Sequence, residues 1–176
     1  MTTEGTLLSH LRTMANYGRW ANAKLNDVAS TLTDREWRAD GGAYFGSLHG
    51  TWNHLLVGDR IWFQRITGTS QGDVPSTLDA VLYDDRAELI EARCRHDDLV
   101  VDYMTAQDDD TILGTVAYHN MAGERFEMRV ADILGHVFNH QTHHRGQMHA
   151  LVTTLGRPAP SLDLIYYLRE IGAGRA

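Results

Sequence analysis

Apolar side chains recur every three or four residues along four long segments of the chain, which predicts four amphipathic helices. The first runs from Leu7 to Leu32. Its seam consists of Leu7, Leu11, Met14, Gly18, Ala21, Leu25, Val28 and Leu32. The second helix is predicted from about Ser47 to Thr67 and is rich in large apolar groups. The third is predicted from Ser76 or Thr77 to about Thr105, and the fourth from about Ala131 to Leu155.

Shorter elements are predicted between and after these helices. The β-branched content of this region and its central glycine predict a small hairpin, with strands at Ile112 to Tyr118 and Arg125 to Val130. A short helix is predicted from Ser161 to about Glu170, with Ser161 as its N-cap. Loops are predicted at Asp34–Gly42, Gly68–Pro75 and Asp108–Asp110. The sequence therefore predicts an all-α four-helix bundle with a hairpin before the last long helix, forming one domain over residues 1–176.

Composition and charge exclude several classes of protein. The formal net charge is -7, and no cluster of Lys or Arg is present, so we expect neither a nucleic-acid partner nor an anionic membrane partner. With one cysteine, Cys94, a disulfide framework and a thiolate zinc site are excluded. The segment from Met1 to Ser9 lacks a positive region, and no apolar run reaches about 18 residues. These features predict a cytoplasmic protein.

Histidine is unusually frequent, and five of the ten histidines lie within the fourth predicted helix. They are His136, His140, His143, His144 and His149. The apolar stripe formed by Val130, Ile133, Val137, Leu151 and Leu155 sets the register of this helix. Continuing that register places His140, His144 and Gln147 on the seam, whereas His136 and His143 fall to one side. We therefore expect His140 and His144 to point into the bundle.

Two imidazoles at positions i and i+4 of one helix face can converge on one metal ion. Each buried neutral imidazole carries a donor and an acceptor that need partners, which is hard to satisfy twice in succession on an apolar seam. A third ligand has to come from a neighbouring helix. The candidates are His10, His49, His54 and His96. His54 lies among large apolar residues, His10 and His49 are expected to be exposed near helix starts, and His96 is expected to be a surface or half-buried polar residue.

Two stretches of this sequence resemble the DinB family, also described as DinB/YfiT-like. They are Tyr44–Trp62, with the sequence YFGSLHGTWNHLLVGDRIW, and His140–Gln147, with the sequence HQTHHRGQ. Tyr17–Asn22 and Leu162–Leu168 fit the family as well, so that the resemblance covers nearly the whole chain. The family is the damage-inducible bundle family and not the DNA polymerase that shares its name.

The resemblance implies a four-helix bundle that binds a divalent metal ion through three histidines. One ligand comes from the second helix and two come from the fourth. Matched position by position, these residues are His54, His140 and His144. The choice of His54 over His49 depends more on the family than on the apolar pattern. The resemblance also implies a homodimer, and the broad apolar surface of the second helix favours one too.

Several nearby residues have two interpretations each. Arg145 either anchors a carboxylate or phosphate of a substrate or pairs with an acidic residue of the chain. Asp59 is a partner of Arg145 or a link between helices. His136 and His143 are donors behind the metal ligands or bases that face a substrate. Gly18 allows close approach of another helix or leaves room for a ligand.

Two classes of function remain open at this stage. The first is an enzyme that uses zinc or nickel and acts on a small-molecule substrate, either as a thiol-dependent S-transferase or isomerase, by analogy with the superfamily, or as a hydrolase. The second is a non-catalytic metal-binding or ligand-binding stress protein. No Asp or Glu lies between Asp132 and Asp163, so only histidines could act as bases beside the fourth-helix seam.

Overall fold

The computed structural model describes residues 6–70 and 75–174, and the four predicted long helices are present within them. In chain order the elements are α1 (Leu7–Thr31), α2 (Asp34–Trp37), α3 (Leu48–Thr67), α4 (Arg86–Ala106), α5 (Asp109–Leu113), β1 (Thr115–His119), β2 (Arg125–Arg129), α6 (Val130–Thr154) and α7 (Leu164–Glu170). Helices α1 and α3 each pack against both α4 and α6. The predicted four-helix bundle is therefore confirmed.

The hairpin and the short C-terminal helix are also confirmed, with shifted boundaries. Strands β1 and β2 pair in antiparallel register from Thr115 opposite Arg129 to His119 opposite Arg125. Helix α7 begins at Leu164, later than the predicted Ser161. The loops predicted at Asp34–Gly42 and after Asp108 were wrong in part, because side-chain caps start the short helices α2 and α5 there.

The predicted start of the third long helix at Ser76 or Thr77 was wrong, because α4 begins at Arg86. The preceding segment runs irregularly over α3, where the side chain of Asn53 holds it. Asn53 Oδ1 accepts the backbone N–H groups of Leu82 and Tyr83, and Asn53 Nδ2 donates to the Tyr83 carbonyl. These backbone groups bond to a side chain of another helix and so do not bond within a helix of their own.

Glycine at position 18 allows α1 and α6 to approach closely. A Cβ atom on Gly18 would lie 3.0 Å from Oε1 of Gln141 on α6. The first of the two interpretations of Gly18, close helix approach, therefore holds.

The centre of the bundle contains a buried polar network that connects all four long helices. Asp59 Oδ2 of α3 lies 2.5 Å from Arg93 Nη1 of α4, and it accepts a hydrogen bond from Gln141 of α6. Arg93 also pairs with Asp97, which accepts from Asn22 of α1. Asp59 is thus a link between helices, and its ionic partner is Arg93 rather than Arg145. Such pairs favour one relative placement of the helices, since breaking a buried pair leaves an uncompensated charge.

Among residues 6–70 and 75–174, no helix has the length and apolarity needed to cross a membrane. The expectation about Met1 to Ser9 concerns in part residues 1–5, which lie outside the described residues. Residues 71–74 of the loop predicted before Pro75 lie outside them as well.

Candidate metal centre

Helices α3 and α6 bring three histidine side chains together inside the bundle. His140 Nε2 lies 3.1 Å from His54 Nε2 and 3.1 Å from His144 Nε2. The ligand atoms of the three residues all lie within 4.8 Å of one another, and the side chains are buried or half-buried. These are the three histidines that the sequence and the family resemblance selected as metal ligands.

Local sequence explains how these rings come so close. His140 and His144 are one turn apart on α6 and share its inward face, as the seam predicted. Gly58 on α3 leaves room for the His140 ring, because a Cβ atom there would lie 3.2 Å from His140 Cε1. The ring of Phe45 stacks on His54 with 3.7 Å between the centroids and 16° between the planes. Phe45 thereby fixes the orientation of one imidazole.

Hydrogen bonds on the far side of two rings determine where their protons lie. His54 Nδ1 is 2.8 Å from the carbonyl oxygen of Leu78, which can only accept, so Nδ1 carries the proton. His144 Nδ1 donates in the same way to Gln147 Oε1 at 2.7 Å. In the neutral rings, both Nε2 atoms then present lone pairs towards His140. Carbonyl and amide partners of this kind orient histidine ligands in metal sites.

The three Nε2 atoms cannot satisfy one another. Neutral His140 has at most one Nε2 proton, which it can donate to either His54 or His144 but not to both. At least one of the two 3.1 Å contacts therefore brings two lone pairs together. A cation that accepts all three lone pairs removes this conflict.

The electrostatic surroundings keep the imidazoles neutral. Burial, together with the neighbouring histidines, lowers the pKa of His140 to about 3. Burial also lowers the pKa of His144 to about 4, although the bond to Gln147 opposes the shift. The pKa of His54 is lowered, mainly by burial. Near neutral pH these rings therefore have lone pairs available for a metal ion.

The spacing of the donor atoms fits a transition-metal ion. Zinc–nitrogen bonds of about 2.0–2.1 Å in tetrahedral geometry separate two ligand nitrogens by about 3.3 Å. Two of the three nitrogen pairs here are 3.1 Å apart. Imidazole donors suit zinc, copper, iron and nickel better than calcium or magnesium.

A cavity of about 340 Å³ opens beside His54 and His140. Its lining is otherwise formed by Gly58, Ile61, Trp62, Arg65, Leu78, Asn120, Met121 and His136. The volume lies in the range of small-molecule sites, and no Asp or Glu is among these described lining residues. The residues come from α3, α6, the segment before α4 and the hairpin turn, so the hairpin takes part in forming the site.

The flanking histidines take different places. His136 is exposed and lines the cavity, with its ring centroid 5.8 Å from that of His140. His143 is exposed and contacts Gln147, with 3.3 Å between their Nε2 atoms. His136 therefore faces the space that a substrate would fill, whereas His143 does not line it and contacts the ring of His144 and the amide that supports that ring.

The other candidates for a third ligand lie away from the cluster. His10 is exposed, as expected. The expected exposure of His49 was wrong, because the ring is buried and its Nε2 lies 3.1 Å from the Tyr83 carbonyl. The expected surface or half-buried position of His96 was also wrong, because the ring is fully buried against that of Phe63. The irregular segment before α4 covers His49, and the packing of α4 against α3 buries His96.

Arg145 lies on a different face of α6 and does not line the cavity beside the histidines. It is buried, and its guanidinium donates to Asn22, Gln141 and Thr142. Its carbon Cζ also lies 5.0 Å from the ring centroid of Tyr17. The hydrogen-bond partners of Arg145 are therefore neutral groups of the chain, and the predicted pairing with an acidic residue is not among them.

Sequence reasoning missed several residues that shape the site. Phe45 and Leu78 contact the metal-centre histidines from irregular segments, for which spacing provides no signal. Arg65 could have been found, since it follows His54 by eleven residues and so returns to nearly the same face of α3.

Comparison with known proteins gives two matches. A family model described as "DinB family" matches residues 1–172 of the chain. A curated protein, "Protein DinB" of Bacillus subtilis (strain 168), is 22% identical over 157 residues. That alignment covers 86% of this chain and 90% of the relative.

Proposed function

Because this chain belongs to the DinB family, we propose that it is a metal-dependent enzyme in which His54, His140 and His144 hold one zinc or nickel ion. The pair of 3.1 Å contacts between Nε2 atoms carries this proposal, since protons cannot satisfy all three atoms. Three protein ligands leave at least one coordination position for a substrate, which is the arrangement of catalytic rather than structural zinc sites.

Metal analysis of the purified protein tests the ligand set. We expect one zinc or nickel ion per chain, and loss of stoichiometric metal in His144→Ala. The matched control is His143→Ala, which removes the adjacent imidazole from an exposed position and should retain the ion. Full metal occupancy in His144→Ala would overturn the assignment.

The substrates we propose are a low-molecular-weight thiol and a small electrophile. When bound, the ion would lower the pKa of a coordinating thiol and stabilise its thiolate. His136 lines the cavity and is placed to take the thiol proton. The sulfur then forms a bond to the electrophilic carbon while the bond to the leaving group breaks. The leaving group departs with the bonding electrons and receives the proton that His136 holds.

The lining of the cavity favours thiol chemistry over hydrolysis. No Asp or Glu lies among the described lining residues, so water would have no carboxylate base there. A thiol needs a weaker base, because its pKa of about 8.5 is far below that of water. The apolar side chains Ile61, Trp62 and Leu78 also favour a substrate over bulk water.

A paired assay separates the possible activities. Metal-loaded protein is incubated with small thiols and an activated electrophile, and thiol consumption is compared with that of His144→Ala. We expect thiol consumption to depend on the metal. The rate of thiol consumption should be lower in His136→Gln, and this decrease should be largest at a pH below the pKa of the free thiol. Metal-dependent hydrolysis of activated esters without thiol would instead identify a hydrolase, with His136 as its base. Metal binding with neither activity would identify a binding protein.

We also propose that the protein is a cytoplasmic homodimer without affinity for DNA. Within the chain, Trp52, Ile61 and Phe63 are buried, so the dimer proposal depends on the family and on the half-buried Trp62 and Ile66 of α3. A monomeric mass by light scattering at micromolar concentration would contradict the dimer. Salt-sensitive, submicromolar binding to duplex DNA would contradict the expectation from the net charge of -7.

A further inference from the structure

Arg65 near the end of α3 has no anionic partner among residues 6–70 and 75–174. Its carbon Cζ lies 4.5 Å from the ring centroid of Trp62 and 4.8 Å from that of Tyr118 on β1. Contacts with ring faces use none of the five N–H donors of a guanidinium. Among the residues that the structure describes, no carboxylate pairs with Arg65 and no hydrogen-bond acceptor contacts it. The aromatic rings hold the guanidinium in place while its donors remain available.

Arg65 lines the same cavity as two of the metal-centre histidines. That cavity of about 340 Å³ reaches His54 and His140, and Arg65 also lines an adjoining cavity of about 390 Å³ beside the hairpin. The two cavities share Ile61, Arg65, Asn120 and Met121. Neither has an Asp or Glu among its described lining residues, so no carboxylate of that lining compensates the positive charge of Arg65 where the two cavities meet.

Helix geometry places Arg65 and the metal centre at opposite ends of one groove. Arg65 follows His54 by eleven residues, which turns the helix to within about 20° of the same face and advances it about 16 Å. Gly58, Ile61 and Trp62 lie between them and line the cavity. Helical side chains lean towards the N-terminus, and the position of the guanidinium over Trp62 agrees with this direction. The groove thus has a metal-binding end, an apolar middle and a cationic end.

We propose that Arg65 binds the carboxylate of an elongated ligand whose other end reaches the metal centre. The planar guanidinium can donate two parallel N–H bonds to a carboxylate, which a neutral group cannot match. The inference rests on the proposed function only for the metal-binding end of the ligand. For the thiol chemistry proposed above, the substrate class becomes a thiol that also carries a carboxylate, separated from the sulfur by an apolar spacer.

Matched thiols test the complete proposal on the metal-loaded protein. Calorimetry compares mercaptooctanoate with mercaptooctanol, which differ only in the terminal group, and mercaptohexanoate and mercaptoundecanoate vary the spacer. We expect the carboxylate to bind about tenfold more tightly than the alcohol in the wild-type protein. Arg65→Gln should remove this preference without weakening the alcohol, and Arg65→Lys should restore part of it. The control is Arg169→Gln, because Arg169 lies 6.0 Å from the Tyr166 ring centroid but lines neither cavity.

A metal-free arm separates failure of this inference from failure of the proposed function. Octanoate and octanol are titrated into metal-free protein, and NMR follows the indole resonance of Trp62. A preference for octanoate over octanol that Arg65→Gln abolishes would support the Arg65 site. If, in addition, no thiol binds the metal-loaded protein, the Arg65 site is supported and the proposed thiol function is refuted. Equal binding of acid and alcohol in both arms, or a preference that survives in Arg65→Gln, would overturn the Arg65 site.

Discussion

Single alanine variants of the clustered histidines should divide by helical phase rather than by distance along the sequence. His144→Ala removes one of three imidazoles whose Nε2 atoms converge. Structural zinc sites with four ligands bind with about 10–16 kcal/mol, so one ligand contributes about 3–4 kcal/mol. We therefore expect affinity to fall roughly a hundred- to a thousand-fold in His144→Ala. His143→Ala should retain the ion with a much smaller loss.

The amide behind His144 provides an intermediate case. Gln147 Oε1 accepts from His144 Nδ1 at 2.7 Å, so Gln147→Ala leaves all three ligands present but frees the orientation of one ring. Partners of this kind contribute about 10- to 100-fold in metal affinity. The predicted order of affinity is wild type and His143→Ala, then Gln147→Ala, and finally His144→Ala. This order separates ligation from mere proximity in sequence.

Competition with a chromophoric chelator measures these affinities, and thermal unfolding gives an independent readout. At a free metal concentration 100 times the dissociation constant, binding stabilises the fold by about 2.7 kcal/mol. For a chain of this size, that energy raises the melting temperature by about 5–10 °C. The increase should be present in His143→Ala and absent in His144→Ala. If His136→Ala loses the ion while His144→Ala keeps it, the register assigned to α6 is wrong by one turn.

The remaining predictions concern the stability of the folded chain. Without metal, the free energy of unfolding should decrease as the pH falls from about 6.5 to about 4, because buried histidines with lowered pKa values must stay neutral in the folded chain while the unfolded chain takes up protons. These are His96, His140 and His144. Urea titrations with a chelator should show this trend, and stability that rises on acidification would contradict it. Gly50→Ala should destabilise the fold by about 2 kcal/mol or more, because a Cβ atom there would lie 2.2 Å from the Phe45 carbonyl oxygen. Gly135→Ala has free space around the new Cβ atom and should stabilise the fold by up to about 1 kcal/mol. Equal effects of the two variants in thermal unfolding would refute this packing argument. Asp59→Ala should cost about 3–5 kcal/mol, because Arg93 loses a buried ionic partner, and a loss below about 1 kcal/mol in urea unfolding would show that the pair contributes little.

Sequence alone predicted the bundle and the inward direction of two metal-centre histidines. Both predictions depend on local periodicity, since a helix with 3.6 residues per turn places His140 and His144 on the face that Val137 defines. The hairpin also has a local signal, with β-branched Thr115 and Val116 in β1 before a turn whose Gly123 has a φ of 83°. The choice of His54 depended on resemblance to a family, because periodicity does not identify the helix that faces α6.

Tertiary structure decided the features that depend on pairing between distant segments. The buried face of α4 carries Arg93, His96 and Asp97, which hydropathy assigns to the surface. Arg93 is buried because the oppositely charged Asp59 lies on α3, which packs against α4, and Asp97 is buried with Arg93 and Asn22 as its partners. Spacing within α4 cannot reveal these partners. The segment before α4 is irregular for the same reason, since Asn53 of α3 binds its backbone. Periodicity within a helix determines which of its side chains share a face. Buried charges and backbone groups without partners in their own element need partners from other elements, because burying an unpaired polar group is costly. Those partners are in place only once the helices have packed.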